Sequence, residues 1–392
     1  MSVYDLNGRQ KDIVVAQTMR RDAALNLNGL YSFPRAPDAD RLTDALRIVT
    51  DHFAALRSII GFRKGDMVAT LLEEPARIVS IDAGSSRAQF DLVHELAGKP
   101  FDLFTERPVR IYLLKGEGAI RHMFLQFHHV ATDWWSFRVI HQSLDMLYEN
   151  PGNARLRKDL LTMYNSRSLP KEHAQDSLDF WQDCLTRPVC IRRSDELAVL
   201  ASHKEYSVPI SFSEIEQAAQ HQHMTPFELL FLKFAEAITF QINDDVFINT
   251  PVGNRSNAND AQTVGYLMNV VPVRCQTIGG RFDSDSTLKN LRNAIKHGCV
   301  PRSQLARIIE SRHGTHAPLF DIVFMFLRDS IGGLHMPGGA VFTRVYPRKD
   351  EDRLVLTLRE LSGKLTLVLE GDPADPIGAR AVETYLQTLG GI

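Results

Sequence analysis

The sequence predicts a mixed α/β (α+β) protein built as two lobes, and three observations predict it. Segments of helical periodicity alternate with segments of strand-like alternation along the chain. The 392 residues amount to about two domains at roughly 150 residues each. No internal repeat or long low-complexity stretch points instead to a solenoid or a disordered chain. Lys and Arg number 45 against 47 Asp and Glu, a formal charge of −2, which argues against a nucleic-acid binder because such a protein needs a clustered positive excess. No apolar run approaches the ~18 residues of a membrane span, and the first residues, MSVYDLNGRQKD, lack the basic and apolar regions of a secretory signal. A cytoplasmic protein with no membrane partner is expected. The four cysteines, Cys184, Cys190, Cys275 and Cys299, form no C-x-x-C pair, so free thiols are the expectation.

Along the chain, Leu42, Ala45, Leu46, Val49, Phe53 and Leu56 recur at helical spacing and predict one amphipathic helix over Asp40–Arg57. Met67–Leu72 and Arg110–Leu114 read as strands, and Arg121–His129 is the clearest strand of the first half. Strand alternation puts Met123, Leu125, Phe127 and His129 on one face and Phe124, Gln126 and His128 on the other. Polar and aperiodic, Gly152–Gln175 is the candidate crossover, which divides the chain into lobes 1–172 and 173–392. Asp176–Leu185 and Thr225–Phe240 read as helices, the second opened by Thr-Pro. Val246–Val252, Leu267–Arg274 and Ile322–Leu327 read as strands. Leu354–Glu360 and Lys364–Glu370, joined by a short Leu-Ser-Gly connection, predict a hairpin at a sheet edge with a core on one side only.

Dinucleotide, P-loop, zinc-protease and nucleophile-elbow motifs are all missing from the sequence. What remains is His128-His129-Val130-Ala131-Thr132-Asp133-Trp134-Trp135-Ser136, where the strong strand ends and an amphipathic helix begins. Trp135, Val139, Leu144 and Leu147 are expected to pack that helix down. A side chain at a strand end is rigidly held and can face a cleft. His129 holds that place, and an imidazole with a reference pKa of ~6.5 can take a proton from an attacking amine or hydroxyl. Asp133 can fold back toward the site or cap the next helix.

The H-H-x-x-x-D pattern comes with further segments in order: Asp51–Arg57, Phe101-Asp102-Leu103 with Pro108-Val109-Arg110, Thr250-Pro251-Val252-Gly253-Asn254-Arg255, Val264-Gly265-Tyr266-Leu267-Met268-Asn269, and Pro318–Phe324. Together they resemble the condensation domains of nonribosomal peptide synthetases, whose signature is H-H-x-x-x-D-G, nearly from end to end. Met163–Ser166 matches the family's Tyr-rich segment only loosely.

The resemblance implies two chloramphenicol acetyltransferase-like lobes in a V with a central tunnel. It also implies an acyltransferase of nonribosomal peptide or hybrid polyketide biosynthesis, a pathway of secondary metabolism that makes compounds such as antibiotics. An acyl or aminoacyl group would move from the phosphopantetheine thioester of a peptidyl or acyl carrier protein to an amine or hydroxyl, on a small molecule or a second carrier. No bound cofactor or metal is implied, and a free-standing monomer is expected.

Carried over by position, His129 is the base or the group that positions the nucleophile and steadies the tetrahedral intermediate. His128 accompanies it as the structural first His. Asp133 would pair with Arg255 and tie the two lobes together. Trp134, Trp135, Ser136 and Asn269 would line the tunnel. Trp134 stands where the family has Gly, so its indole could narrow the tunnel, reshape a channel or turn out of it. Two other readings stay open: an inactive platform that docks carrier or tailoring proteins, and an acyltransferase of the same superfamily that uses a coenzyme A thioester.

Overall fold

The computed structural model describes residues 2–152, 174–185, 202–242, 245–255, 257–313, 322–328, 334–335, 339–345, 354–361, 363–371 and 376–391. The crossover read at 152–175, the Tyr-rich segment at 163–166, Cys190 and residues 318–321 therefore lie largely or wholly outside the described residues. By internal contacts the chain forms two units. One comprises Met1–Lys171, Arg255–Leu267 and Ser330–Arg348, the other Glu172–Asn254, Met268–Asp329 and Lys349–Ile392. A single cut near residue 172 does not foresee the two returns, 255–267 and 330–348, because which unit a segment packs on is a long-range choice that local periodicity does not encode.

In the first unit a five-stranded sheet runs in the order Val341–Val345, Asn26–Ser32, Ala119–His128, Val109–Gly116, Ile78–Asp82. The strand ending at His128 is thus central, paired antiparallel to both neighbours with Asn26 opposite His128 and Val109 opposite Phe127. Its alternation holds. Met123, Leu125 and Phe127 join a large core with Leu42, Leu46, Phe137 and Leu144, while Phe124 packs on the opposite face with Leu30, Leu96 and Leu114. Burial on both faces makes the strand a stiff base for the loop beyond it.

The predicted helix Asp40–Arg57 is observed as Ala39–His52, started by Asp38, whose carboxylate accepts the N–H groups of Asp40 and Arg41. It stops at Phe53, which is extended, and a separate 3₁₀ turn covers Ala54–Arg57. Periodicity carries through that break because both pieces bury their apolar side against one core. The strand Asn26–Ser32 escapes the sequence reading. It is almost wholly buried although it contains two asparagines, and their side-chain amides donate to the carbonyls of Lys99 and Val345.

The second unit holds a seven-stranded sheet, in the order Arg281–Asp283, Asn269–Ile278, Val246–Val252, Ile322–Arg328, Leu354–Leu361, Lys364–Gly371, Ser202–Ser207. The predicted hairpin forms, but its strands are interior rather than at an edge. Residues Leu354–Leu358 are buried without a break, so Thr357 lies inside where alternation alone would set it outside. Ser202–Ser207, SHKEYS, is the edge that was missed, since its charges hide it from a hydrophobic pattern. Helix Pro226–Ile242 packs Phe231 and Phe234 on Phe324 and Tyr385. Among the described residues no helix is long and apolar enough to cross a membrane.

Candidate active site

Within the first unit, the central strand ends at His128 and helix Trp134–Glu149 starts six residues beyond. The connection is held at nearly every step. His128 is fully buried, and its Nδ1 accepts the N–H of Val130 at 3.1 Å while its Nε2 lies 3.0 Å from Gln17 Oε1. Only the neutral ring with its proton on Nε2 satisfies both contacts. Burial agrees, since it pushes the His128 pKa down to about 3, with smaller contributions from His129 and Arg110. His128 is therefore a buried side chain whose two ring nitrogens are both held within the protein.

His129 is only partly buried. Its backbone N–H donates to the Leu25 carbonyl at 2.9 Å, and its ring Nδ1 lies 2.8 Å from the Thr132 carbonyl. A carbonyl can only accept, so Nδ1 carries a proton, and a neutral ring then has its lone pair on Nε2. Tyr266 packs edge-on against this ring, 5.0 Å between centroids. The arrangement fixes the direction of the imidazole, which is what general-base chemistry requires.

Asp133 caps the helix and forms an ion pair at the same time, so its two sequence readings are one device. Oδ1 accepts the Ser136 N–H and hydroxyl, each at 2.9 Å, and Arg255 Nη2 at 2.7 Å; Oδ2 accepts Arg255 Nη2 at 2.9 Å and the Leu267 N–H at 3.2 Å. Arg255 also donates through Nη1 to the carbonyls of Asp260 and, at 2.8 Å, Thr263. Side-chain exposures of 2% and 5% make this a buried pair, held by hydrogen bonds that each partner also makes elsewhere. Asp133 and Arg255 both belong to the first unit, so their contact is internal to it rather than a tie between lobes.

The four residues read as tunnel wall divide. Ser136 has no exposed surface, and its hydroxyl bonds Asp133, the Gly265 N–H and the Gly265 carbonyl, so it builds the cap. Asn269, 3% exposed, donates to the carbonyls of Gly298 and Val300 at 3.0 and 2.6 Å and anchors the turn that follows helix Ser284–Lys296 in the second unit. Trp134 turns its indole onto Phe137 and Phe342, at 5.2 and 5.9 Å between centroids. Trp135 does not pack the helix down. It is 39% exposed, donates its indole N–H to the Ala261 carbonyl at 2.7 Å and carries Arg138 over its ring, whereas Val139, Leu144 and Leu147 are buried as expected.

Sequence reasoning did not single out Gln10, Gln17 or Tyr266. The glutamines lie in helix Gly8–Arg20, where a polar residue on a buried face gives no periodic signal. Among the described residues no cluster of three or more His, Cys, Asp or Glu side chains is placed to hold a metal ion.

Comparison with known proteins shows the family and the fold. Residues 2–370 match the family described as the Condensation domain. The chain is 23% identical to surfactin synthase subunit 1 of Bacillus subtilis strain 168, over 95% of this chain and 11% of that protein. It is 25% identical to the polyketide synthase-nonribosomal peptide synthetase pyiS of Pyricularia grisea, over 77% of this chain and 8% of that protein. The chain thus spans about a tenth of the length of these relatives. Among solved structures, the condensation domain of the monacolin K polyketide synthase MokA superposes with a TM-score of 0.79 at 15% identity, covering 100% of this chain and 97% of that one. VibH, a nonribosomal peptide synthetase condensation enzyme, gives 0.75 at 14% identity, covering 98% and 96%. These two likenesses show the fold.

Proposed function

Because the chain belongs to the condensation-domain family, we propose that it transfers an acyl group from the phosphopantetheine thioester of a carrier protein to an amine or hydroxyl in nonribosomal peptide or hybrid polyketide biosynthesis. The observation that carries this reading is the fixed tautomer of His129, whose Nδ1–H is held by the Thr132 carbonyl. As the acceptor nitrogen or oxygen attacks the thioester carbonyl carbon, His129 Nε2 takes its proton. Collapse of the tetrahedral intermediate breaks the C–S bond, and the proton passes to the departing thiolate. The products are an amide or ester and a free pantetheine thiol.

Asp133 and Arg255 take no proton in this scheme. They hold the loop and the segment carrying Tyr266 at fixed positions around the imidazole.

The test is intact mass spectrometry of loaded carrier proteins mixed with the chain and a panel of amines and alcohols. The expected result is loss of the acyl mass from one carrier with a matching product, slowed about 10²–10⁴-fold by His129→Ala. Equal turnover by a folded His129→Ala variant would overturn the role given to His129. Transfer from free acyl-coenzyme A as fast as from any carrier would replace the carrier by coenzyme A in the reading.

A further inference from the structure

His129 sits between two residues that are both tied to one helix. Gln10 and Gln17 lie seven residues apart on helix Gly8–Arg20, a spacing that returns to the same face after two turns, and they are 4% and 6% exposed. Gln10 donates from Nε2 to the Val130 carbonyl at 3.1 Å, while its Oε1 accepts the Asn7 N–H at 3.3 Å in a capping box. Gln17 donates from Nε2 to the carbonyls of Asp22 and Phe101 at 3.1 and 3.5 Å, which leaves its Oε1 facing His128 Nε2 at 3.0 Å.

The donors and acceptors form one closed sequence. Two backbone carbonyls fix which way the Gln17 amide points, the amide oxygen fixes the proton of His128 on Nε2, and the free Nδ1 then accepts the Val130 N–H. The carbonyl of the same Val130 is held by Gln10. The residues on either side of His129 are thus fixed from a single rigid element.

We propose that Gln10 and Gln17 are positioning residues that clamp the loop at His128 and Val130 and so set the direction of the His129 ring. The proposal rests on the reading of His129 as the base, but the clamp itself has a readout that does not depend on activity.

The test uses the full chain labelled with ¹⁵N. In the wild type, long-range correlation of the His128 ring is expected to show a protonated Nε2 and an unprotonated Nδ1 at neutral pH. Gln17→Leu removes the acceptor. It should shift the Nε2–H resonance to that of an unbonded donor and lower kcat about 10–100-fold, with KM for the loaded carrier changed far less, because a misplaced group loses rate rather than binding. Gln17→Glu keeps an acceptor oxygen and should retain the Nε2–H pattern, raise the pH at which His128 titrates, and recover kcat relative to Gln17→Leu.

Gln10→Glu keeps the capping box but cannot donate to Val130, and it should also lower kcat; if Gln17→Leu fails to fold, this variant decides. An unchanged His128 Nε2–H resonance in Gln17→Leu, or kcat within about twofold of wild type in the folded variants, overturns the clamp. If the wild type transfers no acyl group, the proposed function fails while the histidine spectra still decide the clamp.

Discussion

Replacing Asp133 by Asn tests the loop at its most connected side chain. Asn caps helices about as well as Asp, so its amide oxygen can keep the two Ser136 bonds now made by Oδ1. The amide nitrogen then stands where Oδ2 accepts Arg255 and the Leu267 N–H, and sets a donor against two donors. Arg255, 5% exposed, keeps its bond to the remaining oxygen but is left as a buried charge without a counter-charge. Breaking a buried pair in this way costs about 3–5 kcal/mol. The bonds from Arg255 Nη1 to Asp260 and Thr263 persist, which places the cost near the lower end, at about 3 kcal/mol.

For a unit of roughly 200 residues that corresponds to about 6–12 °C in midpoint. Thermal unfolding followed by circular dichroism, with hydrogen exchange of peptides covering 129–149 and 255–267, would read both the size and the place of the effect. The double variant Asp133→Asn with Arg255→Met removes the stranded charge and should recover part of the loss. A midpoint shift below about 2 °C, or a double variant no more stable than Asp133→Asn alone, would refute this account of the pair.

Other outcomes rest on the same physics. The His128 pKa is depressed by burial, so the unfolded chain binds the extra proton first, and stability falls as pH drops from about 6.5 toward 3. At pH 5 the loss from this group is about 2 kcal/mol, and urea titrations at pH 7.5 and 5 should show a smaller drop in His128→Gln by about that amount. Burial holds the Cys275 thiol well above its ordinary pKa with no exposed surface, so mass mapping after treatment of the native chain with iodoacetamide should find Cys275 unmodified and the partly exposed Cys184 and Cys299 labelled. Gly298 lies where a Cβ would meet the Val252 methyl at 2.6 Å, so Gly298→Ala should cost about 1–3 kcal/mol in chemical denaturation.

The strand Ala119–His128 and the helix from Trp134 were legible because each combines a strong period with an end signal: alternation up to the His pair, and an Asp able to cap the next helix. Val246–Val252 was legible to the residue, since a run rich in Val, Phe and Ile between Asp-Asp and Gly-Asn marks a strand without any information about its partners. Asn26–Ser32 was not, because its asparagines become acceptable inside only once the carbonyls of Lys99 and Val345 are brought to them. Trp134 shows the same limit at the site. Its presence after Asp133 is a fact of sequence, but the direction of its indole was set by Phe137 and Phe342.

By itself the sequence determined the chemistry available at the strand end, the order of the motifs and the alternating elements that carry them, because these depend on residue type and local period. Tertiary structure decided which unit received residues 255–267, which nitrogen of each histidine holds its proton, and which polar residues are scaffold. Each of those choices depends on a hydrogen-bond partner that local pattern does not specify. A donor or acceptor acquires a role only when folding removes water and leaves one group to replace it.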